Sequence, residues 1–120
     1  MVPSYKVAEN SQFLAFLDVR PNVKGHVLCI PKKEVDKIWD LEEGMYQELM
    51  RFTRSVSIAL EKTVSCKRVG LAVVGLEVPH THVHLIPLNS MKDMDFSNHV
   101  EMSEKEFKDL AAAINANVEL

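Results

Sequence analysis

The stretch GLEVPHTHVHLIPL, residues 75–88, decides how this chain folds. It places His80, His82 and His84, three of the chain's five histidines, on alternate positions of an otherwise apolar sequence. Residues two apart on a β-strand point to the same face of a sheet. We therefore predict a strand over residues 80–88, with the three imidazoles on an accessible face and Val83 and Leu85 in the core. The prolines near both ends of the stretch disfavour a helix here.

Two helices and further strands are predicted on either side of this stretch. Apolar residues recur every three or four positions between residues 45 and 60, which predicts a core-facing helix that begins after an N-cap at Asp40 and ends at about Lys62. A capping box that starts at Ser103 predicts a C-terminal helix. Short apolar runs bounded by turn residues predict strands over residues 5–9, 13–17, 26–30 and 69–74, in addition to 80–88.

The order of these elements defines the fold class. It predicts an α+β fold with a mainly antiparallel sheet of about five strands, one long central helix and one C-terminal helix, rather than a doubly wound fold. Because the chain has 120 residues with no repeat or internal linker, we expect a single domain over residues 1–120.

Composition and charge exclude several classes of partner. The net charge of −3 argues against a nucleic-acid-binding surface, although a single nucleotide needs only a few local donors. No stretch is long and apolar enough to span a membrane, and the first ten residues do not resemble a signal peptide. We therefore expect a cytoplasmic protein with no membrane partner. Cys29 and Cys66 form no C-x-x-C pair, and the apolar run around Cys29 favours a core role for it.

Three interpretations of the histidine cluster are open at this point. The imidazoles are incidental polar groups, or they bind a metal such as zinc, or they perform nucleophilic catalysis at phosphorus. A metal site would need a further ligand, for which the chain offers His26, His99 and Glu77. In the catalytic interpretation one neutral imidazole attacks, a neighbouring histidine orients it, and another group protonates the leaving atom.

The segment HTHVHLI, residues 80–86, resembles the signature of the histidine triad (HIT) superfamily of nucleotide-binding hydrolases and transferases. A second block, FLAFLDVRPNVKGHVLCIPKKEV at residues 13–35, resembles the family's early block, in which a strand ending in Asp leads through a Pro-containing loop to Gly-His. The resemblance implies a HIT-like fold that cleaves a nucleoside monophosphate from an amine or a nucleotide through a covalent nucleotidyl-histidine. The nucleoside phosphoramidase branch is favoured over the dinucleoside polyphosphate branch. A homodimer is also implied, with no cofactor required and no metal expected.

The resemblance also implies roles for individual residues. His82, the middle histidine, would attack the α-phosphorus, and His80 would hold the correct tautomer beside it. Asp18 would accept the ribose hydroxyls, and His84 would contact the phosphate. The nucleotide-binding residues implied in this way are Asp18, Val19, His26, Gly75 and His84.

The segment before the triad departs from the family pattern. Many members carry Gln and then Ser or Thr after the glycine, whereas Leu76 and Glu77 follow Gly75 here. Glu77 is either a third catalytic candidate, as a general acid or base, or a carboxylate that repels the phosphate. The zinc site that some branches build on a C-x-x-C pair is absent. A non-catalytic nucleotide- or metal-binding module, and a divergent phosphohydrolase with a non-nucleotide substrate, stay open as alternatives.

Overall fold

A computed structural model describes residues 5–120 of the chain and has the predicted α+β architecture. Five strands form one antiparallel sheet, and two α-helices accompany it. No helix within the described residues is long and apolar enough to cross a membrane. The strands are β1 (Lys6–Glu9), β2 (Phe13–Leu17), β3 (Val27–Pro31), β4 (Arg68–Ala72) and β5 (Val83–Leu88), and the helices are α1 (Glu43–Thr63) and α2 (Glu104–Ala116), with 3-10 turns at Ile38–Asp40 and Met91–Met94.

The sheet order places the histidine-bearing strand in the interior of the sheet. The strands follow the order β1-β2-β3-β5-β4, and each neighbouring pair is antiparallel. His84 on β5 lies opposite Leu28 on β3 and opposite Ala72 on β4. Directly opposed residues on neighbouring strands share a face, so His84 and Leu28 point to the same side of the sheet.

The two faces of the sheet are covered differently. Both helices pack on one face, where α1 contributes Leu49, Phe52, Val56 and Leu60 to the main hydrophobic core. A smaller buried cluster on the other face consists of Leu14, Phe16, Leu28 and Ile30. Because Leu28 belongs to this smaller cluster, His84 lies on the face away from the helices. The prediction that apolar and histidine residues of β5 occupy opposite faces is thus confirmed for His84, Val83 and Leu85.

The start of β5 differs from the prediction. The strand begins at Val83, so residues 80–82 approach it in an irregular conformation instead of forming its first residues. Thr81 explains this difference, because its backbone N–H and its hydroxyl both donate to the carbonyl of Val35 at 2.7 Å. These bonds attach the segment to a loop outside the sheet, where the strand alternation does not apply.

The two predicted helix starts have different outcomes. The Ser103 capping box is confirmed, since its hydroxyl accepts the Glu106 N–H and the Glu106 carboxylate accepts the Ser103 N–H, both at 3.1 Å. The N-cap at Asp40 is wrong, because Asp40 ends a 3-10 turn by donating its N–H to the Lys37 carbonyl, and α1 begins only at Glu43. Cys29 is fully buried, and burial raises the pKa of its thiol to about 12, which confirms its role in the core.

Candidate active site

A cavity of about 670 Å³ opens on the sheet face away from the helices. Its base contains His82, His84 and Leu28. One wall is the loop between β4 and β5, and the opposite wall combines the loop after β2 with a segment that follows β5. The residues of the first wall are Val74, Gly75, Leu76, Glu77 and Val78, and those of the second are Asp18, Arg20, Asn22, Phe96, Ser97 and His99.

A backbone carbonyl orients the ring of His82. His82 Nδ1–H donates to the His80 carbonyl at 2.7 Å, and the side chain is largely buried. A carbonyl oxygen can only accept a hydrogen bond, so Nδ1 must carry a proton. In the neutral ring the lone pair is therefore on Nε2. The site thus contains an imidazole nitrogen that is available as a nucleophile.

His80 does not join the cavity with its ring. Its Nε2–H donates to the Pro31 carbonyl at 2.7 Å, and its side chain is absent from the lining of the cavity among the described residues. The prediction that all three imidazoles share one accessible face is therefore wrong for His80. The reason is the irregular backbone before Val83, described above. The contact between His80 and His82 runs through the main chain of His80.

His26 and His84 form a second hydrogen-bonded pair, which joins positions 58 residues apart. His26 Nδ1 accepts the backbone N–H of Asn22 at 3.0 Å, and His26 Nε2 lies 2.9 Å from His84 Nδ1. Because His26 Nδ1 is an acceptor, a neutral His26 carries its proton on Nε2 and donates it to His84 Nδ1. His84 in turn carries its own proton on Nε2. The pair thus presents His84 Nε2–H as a hydrogen-bond donor.

Burial keeps both members of this pair neutral. His26 is 1% and His84 is 7% exposed. Desolvation, and then the charge of His99, lower the pKa of His26 to about 4. Desolvation, followed by the charges of His26 and His82, also lowers the pKa of His84 to about 4. Both groups are consequently neutral at pH 7.

The backbone at Gly25 delivers His26 to the site. Gly25 has a φ of 98°, a backbone conformation that residues with a side chain rarely adopt, and a Cβ there would lie 3.0 Å from Pro87 Cγ. The turn at Gly25 immediately precedes His26 and β3. The Gly-His pair of the sequence block therefore has a structural basis.

Asp18 lies at the edge of the cavity next to this pair. Its Oδ1 accepts the Arg20 N–H at 2.9 Å, and its Oδ2 lies 3.7 Å from His26 Nε2. Val19 is more than half exposed and does not line the cavity formed by the described residues. Thus Asp18, His26 and His84 are brought together, and Val19 is not.

Asn22 is a site residue that the sequence analysis missed. Its backbone N–H holds His26, and its side-chain Nδ2–H donates to the Asp93 carbonyl at 3.0 Å. An Asn directly after Pro21 indicates a turn. That local pattern does not reveal which side chain the turn supports.

The wall between β4 and β5 contains the departures from the family pattern. Gly75 has a φ of 71°, and Leu76 is 89% exposed. Glu77 is exposed and lines the cavity, and its carboxylate has no hydrogen-bond or ion-pair partner among residues 5–120. It is therefore available to a bound molecule.

The segment after β5 supplies a wall that the sequence analysis did not predict. The sequence offers His99 only as a metal ligand and gives no indication that Phe96 and Ser97 line the cavity. The ring of Phe96 packs against His84, with centroids 4.8 Å apart. The polar composition of residues 89–98 predicts a loop but does not show that the loop returns to the histidines.

Three side chains of the site have atoms suited to a metal ion. One ligand atom each from Asp18, His26 and His84 lies within 4.8 Å of the other two. The facing nitrogens of His26 and His84 already share a proton, which a metal would have to displace. Of the further ligands predicted from the sequence, His26, His99 and Glu77, only His26 belongs to this group, where it joins His84 of the histidine cluster.

Comparison with known proteins relates the chain to one family. The family model of the HIT domain matches residues 1–91. An uncharacterized HIT-like protein of Borreliella burgdorferi is 31% identical, and the alignment covers 98% of this chain and 91% of that protein.

Two relatives are named as enzymes. An adenosine 5'-monophosphoramidase of Saccharomyces cerevisiae is 32% identical over 76% of this chain and 58% of its own length. An asymmetrical bis(5'-nucleosyl)-tetraphosphatase of Schizosaccharomyces pombe is 36% identical over 77% of this chain and 52% of its own length. The chain thus spans little more than half the length of these two enzymes.

A solved structure confirms the fold independently. A Hit-like protein from Bartonella henselae superposes with a TM-score of 0.82 at 21% identity, over 98% of this chain and 88% of that one. At this identity the similarity shows the fold alone.

Proposed function

This chain belongs to the HIT family, and we propose that it is a nucleotide-binding hydrolase that cleaves a nucleoside monophosphate through a covalent nucleotidyl-histidine at His82. The observation that carries the proposal is the hydrogen bond from His82 Nδ1–H to the His80 carbonyl. It directs the lone pair of the neutral ring to Nε2, in a residue that lines the cavity.

The proposed reaction has two displacements at phosphorus. In the first, His82 Nε2 attacks the α-phosphorus, a P–N bond to His82 forms, and the bond to the leaving nitrogen or oxygen breaks as that atom takes up a proton. In the second, water attacks the same phosphorus, loses a proton, and the bond to His82 Nε2 breaks. The products are the nucleoside monophosphate and the protonated leaving group.

Other side chains assist these displacements. His84 Nε2–H donates to a phosphate oxygen, where negative charge develops in the transition state. Glu77 is the proposed proton donor to the leaving atom in the first step and the acceptor of the water proton in the second. His80 contributes its carbonyl, which fixes the tautomer of His82.

The nucleoside would lie against the walls of the cavity. Asp18 accepts the ribose hydroxyls, because its carboxylate lines the cavity beside the histidines. Apolar side chains at Leu28, Val74 and Leu76 offer a surface for the base. The contact implied for Val19 is assigned to these residues instead, since Val19 lies outside the cavity.

An amine is the proposed leaving group in preference to a polyphosphate. The carboxyl group of Glu77 donates to a leaving amine when it is protonated, and when it is ionised it repels the additional phosphate groups of a polyphosphate. The name of the Saccharomyces cerevisiae relative supports phosphoramidase activity. The Schizosaccharomyces pombe relative makes dinucleoside polyphosphates the comparison substrate.

Trapping the covalent intermediate tests the proposal. Wild-type protein is mixed with an adenosine 5'-phosphoramidate, quenched in alkali to preserve the P–N bond, and digested for mass spectrometry. We expect an adenylyl group on His82 and none in the His82→Asn variant. An adduct on another residue, or equal hydrolysis by wild type and His82→Asn, contradicts the assignment. Hydrolysis of a non-nucleotide phosphoramidate in place of the nucleotide would favour the divergent phosphohydrolase.

A metal-binding module is the second candidate function, and the Asp18, His26 and His84 cluster is the observation that favours it. We propose that catalysis needs neither metal nor cofactor, because the two facing nitrogens are engaged in a mutual hydrogen bond. Elemental analysis of the purified protein distinguishes the two. Stoichiometric zinc, copper or nickel without turnover would support the module, whereas loss of turnover on chelation would indicate a metalloenzyme.

The edge of the sheet that β4 forms is the proposed site of homodimerisation. β4 is an edge strand, and Leu71 and Val73 on and just after it are exposed. An unpaired apolar edge is suited to pairing with the same edge of a second copy. Light scattering should give twice the chain mass for the wild type and the chain mass for Leu71→Lys. A monomeric wild type at micromolar concentration would reject the dimer.

A further inference from the structure

Residues 92–100 lie beyond the part of the chain that the HIT domain model matches, yet they form part of the cavity wall. Within this segment, the residues that line the cavity are Phe96, Ser97 and His99. This part of the cavity wall is therefore built by residues outside the region that the family model matches.

Two hydrogen bonds attach the segment to the loop that carries Asn22. The Asn22 Nδ2–H donates to the Asp93 carbonyl at 3.0 Å, and the Val100 N–H donates to the Pro21 carbonyl at 2.9 Å. They lie on either side of Phe96 in the sequence. The segment is thus held at both ends against the same loop whose backbone orients His26.

Phe96 packs on the histidine pair from the cavity side. Its ring centroid lies 4.8 Å from that of His84 and 6.1 Å from that of His26, with an interplanar angle of 68° in both cases. These are edge-to-face contacts within the usual range for aromatic pairs. Phe96 itself is 37% exposed, so its side chain is partly in contact with solvent and partly packed on the pair.

The hydrogen bonds of the pair require that water and protons be kept away. His26 Nδ1 accepts the Asn22 N–H only while that nitrogen is unprotonated, and His84 Nδ1 accepts from His26 under the same condition. Burial lowers the pKa of both histidines to about 4. The ionisable groups that face the pair are Asp18, His82 and His99, and Arg20 and Glu77 line the same cavity.

We propose that Phe96 is a positioning residue of this site, whose ring excludes water from the His26–His84 hydrogen bond and so maintains His84 Nε2–H as the donor to a bound phosphate. The role of the donor rests on the proposed function. The exclusion of water from the pair does not, and it can be measured without any substrate.

Histidine titration by proton NMR tests the exclusion of water directly. In Phe96→Ala the resonances of His26 and His84 should titrate at higher pH than in the wild type, because the exposed rings regain hydration. Phe96→Leu keeps an apolar cover and should resemble the wild type. Met91→Ala is the matched control, because Met91 directly precedes this segment, is 85% exposed and does not line the cavity.

The pH dependence of hydrolysis supplies the second measurement. We expect Phe96→Ala to lose about two- to threefold more kcat/KM than the wild type between pH 7.5 and pH 5.5, since a larger fraction of the pair is then protonated. Titration curves that coincide in wild type and Phe96→Ala overturn the proposal. So does an equal change in Phe96→Ala and Met91→Ala. If no variant hydrolyses a nucleotide while the titrations still differ, the proposed function fails and the positioning role stands.

Discussion

The four histidines at and beside the cavity are oriented in two ways. His82 and His80 each donate to a backbone carbonyl, whereas His26 and His84 are oriented chiefly by each other. A carbonyl accepts a hydrogen bond whatever the protonation state of the ring. The mutual pair has its arrangement only while both rings are neutral, because two protonated nitrogens cannot face each other at 2.9 Å.

This difference separates the two tasks that the site has to perform. A carbonyl-anchored imidazole has one free nitrogen and can attack and leave without losing its orientation. In the mutually bonded pair, the Asn22 backbone N–H orients His26, and His26 in turn orients His84, the donor on the cavity floor. We infer that the nucleophile and the phosphate donor have different anchors for this reason. The carbonyl that holds the nucleophile is insensitive to protonation of the ring, whereas the hydrogen bond that holds the phosphate donor is lost on protonation.

Among substitutions that leave the nucleophile His82 in place, breaking the mutual pair should have the largest effect. His84→Asn removes the donor to the phosphate, and His26→Asn removes the group that orients it, so we expect kcat/KM to fall by about 10²–10³-fold in each variant. Because the residues act as one unit, the double variant should lose little more than His84→Asn alone. Steady-state kinetics with one adenosine phosphoramidate provide the measurement. Losses that multiply in the double variant would show that the two histidines act separately.

His80→Asn is the matched change on the carbonyl-anchored side. It removes the ring bond to Pro31 but leaves the His80 carbonyl that holds His82. We expect a loss of less than about tenfold, because the bond that fixes the nucleophile is retained. A loss as large as that of His84→Asn would assign His80 a direct role through its ring.

Acidification should destabilise the protein through the mutual pair. The pKa of each histidine falls from 6.5 in the unfolded chain to about 4 in the folded chain, so the unfolded state binds more protons between these values. The stability that the pair contributes is complete above pH 6.5 and is lost as the pH falls toward 4. We expect the free energy of unfolding in urea to decrease by on the order of 1–3 kcal/mol across this range. His26→Gln should reduce the slope of this decrease, and an unchanged slope would attribute it to other groups.

The sequence predicts one half of this comparison better than the other. The alternation of apolar residues and histidines places His84 on the correct face, because β5 is regular from Val83 onward. The same alternation fails at His80, because Thr81 is hydrogen-bonded to Val35, a loop residue 46 positions away, and the backbone there is not part of the strand. The two-residue periodicity therefore predicts side-chain direction from Val83 onward and not before it.

The other features of the site that the sequence does not predict depend on contacts between residues far apart in the chain. The His26–His84 bond spans 58 residues, and neither local pattern contains information about the other. The resemblance to the HIT family places His26 near the site, yet it does not identify Asn22 as its anchor. Phe96 lies in a polar loop with no local pattern that indicates packing on a histidine.

An effect about as small as that of His80→Asn is expected at Glu77, which lines the same cavity as the carbonyl-anchored nucleophile His82. If Glu77 exchanges protons with the leaving group, Glu77→Gln should lower kcat by up to about tenfold with an amine leaving group. The loss should be smaller with a p-nitrophenyl leaving group, which departs without a proton. If the carboxylate only repels phosphate, Glu77→Gln should instead lower KM and leave kcat unchanged, and the gain should be larger for a dinucleoside polyphosphate than for a phosphoramidate. Measuring kcat and KM for these substrates with both proteins therefore decides between the two roles. A variant that matches the wild type on every substrate would remove Glu77 from the site's chemistry altogether.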